Sequence, residues 1–180
     1  MYTVDNFING IANTVSDKSS LIIDPSYGKD IGKVLYATTD TADLAIESAK
    51  HAFQNWSLTG LSYRAELILK FRQAVIDRSN EIIDICITEA GKTRPDAEAE
   101  LDRAVQALTN ASAVQHFYPS HLSPNVAGGI DIADRRYPIG VIAGVGPFNF
   151  PILIPILHSA MALVTGNTYI AKPSEKVPSI

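Results

Sequence analysis

The apolar positions change period three times along the chain. Short β-branched runs come first. Phe7-Ile8 closes on Asn9-Gly10, the strongest short hairpin signal. Leu21-Ile22-Ile23 leads into the turn Asp24-Pro25-Ser26-Tyr27-Gly28, and residues 31–37 return as a strand. A hairpin or small meander is predicted. From Asp40 the period becomes helical. Asp40, with Asp43 three residues on, reads as an N-cap, and Ala45, Ala49, Ala52, Phe53 and Trp56 share one face until Gly60. Ser62 opens a second helix with Leu67, Ile68, Phe71 and Val75 inward. Ser79 caps a third, where Ile82, Ile83, Cys86 and Ala90 align before Gly91 stops it. Thr93 begins a fourth helix, with Pro95 in its first turn. Asp96, Glu98 and Glu100 put negative charge near the positive end of that helix dipole. Its predicted buried stripe is Ala97, Leu101, Ala104, Val105, Leu108, Ala111 and Gln115.

The pattern breaks up over residues 118–134, which Pro119, Pro124, Asn125, Gly128 and Gly129 punctuate. Gly129-Ile130-Asp131-Ile132-Ala133 alternates like an exposed strand and suits a subunit-pairing arm. Residues 139–143 are then apolar without alternation, as in a strand buried on both faces of a parallel sheet. Pro151 fits a first helical turn, residues 152–164 supply the helix, and Gly166-Asn167 ends it. Thr168-Tyr169-Ile170-Ala171 is the next strand, so a right-handed β-α-β crossover is expected. Pro178 would fit the first turn of a further helix. Ligands of α/β proteins bind just beyond such strand ends.

Composition adds bounds. At 180 residues the chain holds one domain, or one and a fraction, and its 46% hydrophobic and 19% charged content is that of a globular protein. A net charge of −4 gives no reason to expect a nucleic-acid partner or an anionic membrane surface. Pro147, Asn149, Pro151, Pro155 and His158 interrupt the longest apolar stretch, which cannot span a membrane. The N-terminus lacks the pattern of a secretory signal. The single cysteine, Cys86, excludes an internal disulfide framework and points to a reducing, cytoplasmic setting.

Candidate chemistry gathers near the C-terminus. Gly140-Val141-Ile142-Ala143-Gly144-Val145-Gly146 is similar to a dinucleotide fingerprint, but Pro147 and Pro151 remove backbone donors where a phosphate loop needs them. Asn149 lies between two phenylalanines and two prolines. It reads either as a helix N-cap or as a rigid amide donor to a developing oxyanion. Lys172 and Glu175 read either as a solvated pair or as a clamp on ribose hydroxyls. Cys86 sits mid-helix on an apolar face and reads as structural. The four histidines lack metal-ligand spacing.

Pro147-Phe148-Asn149-Phe150-Pro151, followed by Gly166-Asn167-Thr168 and Lys172-Pro173-Ser174-Glu175, resembles the NAD(P)-dependent aldehyde dehydrogenase superfamily. Phe7-Ile8-Asn9-Gly10, the Asp24-Pro25 turn, Ala52-Phe53-x-x-Trp56, Glu89-Ala90-Gly91-Lys92 and Tyr137-Pro138-Ile139-Gly140-Val141 follow in that family's order, so the resemblance covers nearly the whole chain. The CoA-acylating methylmalonate-semialdehyde branch is the most similar. The resemblance implies an α/β fold: an incomplete Rossmann-type parallel sheet with flanking helices and an N-terminal β-hairpin. It implies that Asn149 is catalytic, its amide stabilising the oxyanion, and that Lys172 binds the adenosine ribose with Glu175 beside it. Gly146, Pro147, Phe148 and Lys176 would line the cofactor. The carboxylate of Glu175 should repel a 2′-phosphate, which favours NAD over NADP. CoA is a candidate co-substrate, the substrate a small aldehyde or semialdehyde, and a homo-oligomer is expected.

In that family the nucleophilic cysteine and general-base glutamate match no residue here; Cys86, Glu89 and Glu100 fall elsewhere. The expectation is therefore the N-terminal portion of an NAD-dependent aldehyde dehydrogenase, inactive in isolation. Residues 1–118 would form the N-terminal strands and helical part, 119–137 the start of the oligomerisation arm, and 138–180 the first β-α-β of the cofactor sheet. The alternative is a non-catalytic module for self-association or partner binding.

Overall fold

The computed structural model describes residues 1–13, 16, 18–117 and 120–180. Strand β1 (Tyr2–Val4) is followed by the hairpin β2 (Asn6–Ile8) and β3 (Ile11–Asn13). Asn9 and Gly10 carry it with φ of 52° and 79°, the pair of positive angles a two-residue hairpin turn requires. Strands β4 (Ser19–Asp24) and β5 (Lys29–Leu35) form the second predicted hairpin, and β1 joins β5 in parallel.

Four helices follow: α1 (Thr39–Trp56), α2 (Leu61–Asp77), α3 (Ser79–Ala90) and α4 (Arg94–Ser112), with the short α5 (Val114–Phe117) after them. Gly91 ends α3 at φ 64°, and a β-carbon there would meet Pro25 Cγ at 2.7 Å. The position therefore requires glycine twice over, for its left-handed backbone and for the close approach of the strand layer. Thr93 caps α4 as expected, its hydroxyl oxygen accepting from Asp96 N at 3.3 Å. The N-cap of α1 is Thr38, not Asp40, because Thr38 Oγ1 accepts from Thr41 N at 3.1 Å. Gly60 and Arg78 occupy the positions before α2 and α3, displacing Ser62 and Ser79 from their predicted roles.

The core lies among α2, α3, α4 and a later helix, built from Ile68, Val75, Ile83, Cys86, Leu101, Leu108 and Ala111 with Ile152 and Val164. Three predicted stripe members are outside it, Leu67 being only half-buried. Phe71 is exposed, and so is Gln115, because α4 stops at Ser112 before the stripe reaches it. The stripe of α1 is only half-buried and Ala52 is exposed, since this helix lies against strands at the side of the core.

Tyr118 and Pro119, at the predicted handover from helices to arm, are outside the described residues. Beyond them β6 (Leu122–Ala127) and β7 (Ile130–Ala133) form an antiparallel ribbon whose every residue is exposed. The last unit is β8 (Val141–Val145), α6 (Leu153–Val164) and β9 (Thr168–Lys172), with β8 and β9 parallel. The strand begins later than predicted, and it is not buried on both faces: Ile139 is 86% exposed and Val145 71%. Among the described residues β8 has one paired neighbour, so its outer side is uncovered. Residues after Lys172 form turns, with Val177 N donating to Ser174 O, and no helix starts at Pro178. No helix among the described residues is long and apolar enough to cross a membrane.

Candidate functional site

Strands β8 and β9 run in register from Val141 opposite Thr168 to Val145 opposite Lys172. One more bond, Gly146 N to Lys172 O at 2.8 Å, carries the ladder past the strand ends. The two segments then part, one into the 147–152 turn and one into 173–177. Every predicted site residue lies on these two segments: Gly146, Pro147, Phe148 and Asn149 on the first, Lys172, Glu175 and Lys176 on the second.

Gly146 is closely surrounded, since a β-carbon would meet Pro155 Cγ at 3.3 Å and Lys172 O at 3.7 Å. The turn therefore passes tightly over the end of β9. Lys176 Nζ stands 4.5 Å from the centroid of the Phe148 ring, a cation–π contact that joins the two segments. Lys172 Nζ lies 3.5 Å from Glu175 Oε2, and both side chains are about half exposed. This loose pair leaves donor and acceptor capacity on each side, which suits recognition of a diol. The backbone N–H of Glu175 holds its carboxyl below the usual range, helped by the charges of Lys172 and Lys176.

Asn149 is exposed, and no hydrogen bond among the described residues ties down its side chain. It is not the cap of α6. That work falls to Glu100 on α4, which is fully buried and whose Oε1 accepts from Ile152 N at 2.8 Å and Leu153 N at 2.9 Å. The other carboxylate oxygen pairs with the ammonium of Lys92. Lys92 in turn lies 4.8 Å from the centroid of the Phe150 ring, with the Arg103 guanidinium at 5.5 Å.

The opposite end of α6 is held in the same manner. Arg64 on α2 donates through Nε to Val164 O at 2.8 Å and through Nη1 to Thr59 O. Trp56 Nε1 donates to Leu163 O at 3.0 Å. A negative side chain at the helix N-terminus and a positive one at its C-terminus both oppose the macrodipole. Asn167, just beyond, accepts from Ile139 N at 2.7 Å and Gly140 N at 3.1 Å, fixing the entry to β8.

Glu100, Lys92 and Arg64 were not among the predicted site residues. A signal existed for Glu100: it follows Ala97 and precedes Ala104, Ala107 and Ala111 at helical spacing, and all five are buried. A carboxylate inside an alanine stripe must have a partner. Cys86 is fully buried, and burial together with the Glu100 charge pushes its thiol up to about 11. It is inert as a nucleophile at neutral pH.

The sequence pattern of the aldehyde dehydrogenase family matches residues 13–180. Malonate-semialdehyde dehydrogenase 1 of Bacillus licheniformis is 37% identical over 174 residues, 96% of this chain and 36% of that protein. The human mitochondrial protein named methylmalonate-semialdehyde/malonate-semialdehyde dehydrogenase [acylating] is 38% identical over 177 residues, 98% of this chain and 33% of that one. Among solved structures, methylmalonate-semialdehyde dehydrogenase from Oceanimonas doudoroffii superposes with a TM-score of 0.96 at 35% identity, over 99% of this chain and 37% of its own. A Sinorhizobium meliloti 1021 protein solved in complex with NAD gives 0.95 at 36% identity, over 99% and 37%. The chain thus spans about a third of the length of the curated relatives it matches.

Proposed function

The chain belongs to the aldehyde dehydrogenase family, and from that premise we propose that it supplies the cofactor-binding and oxyanion wall of an NAD-dependent semialdehyde dehydrogenase. The observation that carries this reading is the position of Asn149: an exposed, unbonded amide on a turn that packs over the end of β9, on the neighbouring segment to Lys172 and Glu175. The Asn149 amide N–H donates to the oxygen that gains negative charge when a thiolate attacks the aldehyde carbon. A preorganised donor of this kind is worth roughly a hundred- to a thousandfold in kcat. Lys172 donates to the adenosine ribose hydroxyls and Glu175 accepts from them. Phe148 and Lys176 flank the same ligand. NAD, when bound, supplies the two-electron oxidant. The Glu175 carboxylate disfavours the extra phosphate of NADP.

The thiolate and base belong, in this reading, to chain outside these 180 residues. The substrate is proposed as malonate or methylmalonate semialdehyde, because relatives at 37–38% identity carry those names, and CoA is proposed as acyl acceptor because the human relative's name includes the word acylating. The division at about residues 118 and 137 into helical part, arm and cofactor unit is part of the proposal. So is a cytoplasmic setting, supported by the buried, unpaired Cys86.

The experiment is a fusion at Ile180 to the remaining C-terminal part of the Bacillus licheniformis relative, assayed for NADH formation at 340 nm. Asn149→Ala should lower kcat by about a hundredfold or more with NAD affinity unchanged. Lys172→Ala should instead weaken NAD binding, also measurable by saturation-transfer NMR on this chain alone. Unchanged kcat in the Asn149 variant would remove the oxyanion reading.

A second reading is favoured by the ribbon. Leu122, Val126, Ile130 and Ile132 are each about half exposed or more on β6 and β7. An apolar ribbon with free edges suits pairing between copies of the chain, so self-association is proposed with or without turnover.

A further inference from the structure

The first turn of α6 permits a complete account of its backbone donors. Pro151 and Pro155 have no N–H. Ile154 N donates to Phe150 O at 3.3 Å. That leaves Ile152 N and Leu153 N, and Glu100 Oε1 accepts from both. Asn149 stands three residues before Ile152, the spacing at which an asparagine ordinarily caps a helix. With Glu100 in place it has nothing to cap.

We propose that Glu100, held by Lys92, is a positioning residue that keeps Asn149 out of the helix cap and available to a ligand. The inference rests on the reading of Asn149 as oxyanion donor. Three features support it. Glu100 reaches α6 from 52 residues away and is fully buried, so its carboxylate has no solvent to fall back on. The positive end of α6 and the Lys92 ammonium together stabilise that buried charge. Lys92 also lies over the Phe150 ring, so the pair grips the turn on the residue next to Asn149 as well as at the helix start. Without the carboxylate, Ile152 N would turn to the nearest acceptor of the right spacing, the Asn149 side chain, and the amide would rotate into the cap.

The test is amide hydrogen exchange by NMR on the 180-residue chain. In the parent, Asn149→Ala should leave exchange at Ile152 unchanged. Glu100→Ala should speed exchange at Ile152 and Leu153 by about tenfold to a hundredfold, with Ile68 and Ile83 unaffected. Adding Asn149→Ala to Glu100→Ala should speed Ile152 further, because the substitute cap is then lost. Loss of Ile152 protection in Asn149→Ala alone, or no change in Glu100→Ala, would overturn the proposal. Should Glu100→Ala not fold, Glu100→Gln decides. It keeps an acceptor oxygen but not the charge, so Ile152 should stay protected while the Lys92 methylenes lose their upfield ring-current shift from Phe150. A persistent shift in Glu100→Gln overturns the role of the pair. These readouts do not involve turnover, so failure of the oxyanion reading shows separately, in the kcat of the Asn149→Ala fusion.

Discussion

Replacing Arg64 with methionine should be among the most damaging single changes outside the apolar core. The Arg64 side chain is 8% exposed and its Nε donates to Val164 O at 2.8 Å, while Nη1 donates to Thr59 O. Burial depresses its pKa. Methionine retains the apolar stem but leaves both carbonyls without a donor. A hydrogen bond to a charged group contributes about 1.5–3 kcal/mol, and two are lost. Relief of the arginine's own desolvation offsets part of this, so a net loss of about 3 kcal/mol is expected. In a domain of this size each kcal/mol lowers Tm by roughly 2–4 °C, giving a fall of about 6–12 °C by circular dichroism. Arg64→Lys keeps the charge but not the fork, and should fall roughly midway. Hydrogen exchange should quicken first at the C-terminal turn of α6. A Tm within about 3 °C of the parent for Arg64→Met would refute the reasoning, since it would mean that water satisfies Val164 O as well as the guanidinium does.

Two further outcomes follow from the same structure. The Cys86 thiol is raised from 9.0 to about 11 and the Tyr2 phenol from 10.0 to about 12, the first by burial and the Glu100 charge, the second by burial and its bond to Glu89. Each folded pKa lies above its unfolded value, so both stabilise fully below pH 9 and the contribution fades as pH rises through 9–11 for Cys86 and 10–12 for Tyr2. Thermal melts from pH 7 upward should show this alkaline loss, and Cys86→Ala should flatten its lower part; an unchanged slope would contradict it. For the ribbon, Ile130→Lys with Ile132→Lys should abolish any self-association seen by sedimentation without changing Tm, since both side chains are more than half exposed. An unaltered sedimentation profile of an associating parent would place the contact elsewhere.

The features readable from the order of residues are those whose partners are neighbours in the chain. Asn9-Gly10 makes its turn because both residues tolerate positive φ. Gly91 stops α3 for the same reason, and Thr93 caps α4 through an N–H three residues on. The β8-α6-β9 unit, and the gathering of Asn149, Lys172 and Glu175 at or just beyond its strand ends, also follow from local periodicity and punctuation. Local rules failed where two candidates competed for one place. Asp40 lost a cap to Thr38, and Phe71 and Gln115 lost places in the core because helix length and packing partners, not periodicity, decide which part of a stripe is covered. Above all, periodicity could not choose between a cap and a free amide for Asn149. That choice depends on Glu100, 52 residues before Ile152, as the other end of α6 depends on Arg64, 100 residues before Val164. Helix ends leave backbone groups that any suitable side chain can satisfy. Only the packing of α2 and α4 against α6 brings a buried carboxylate and a buried guanidinium to those ends, and there Ile152 N and Leu153 N donate to Glu100 rather than to Asn149.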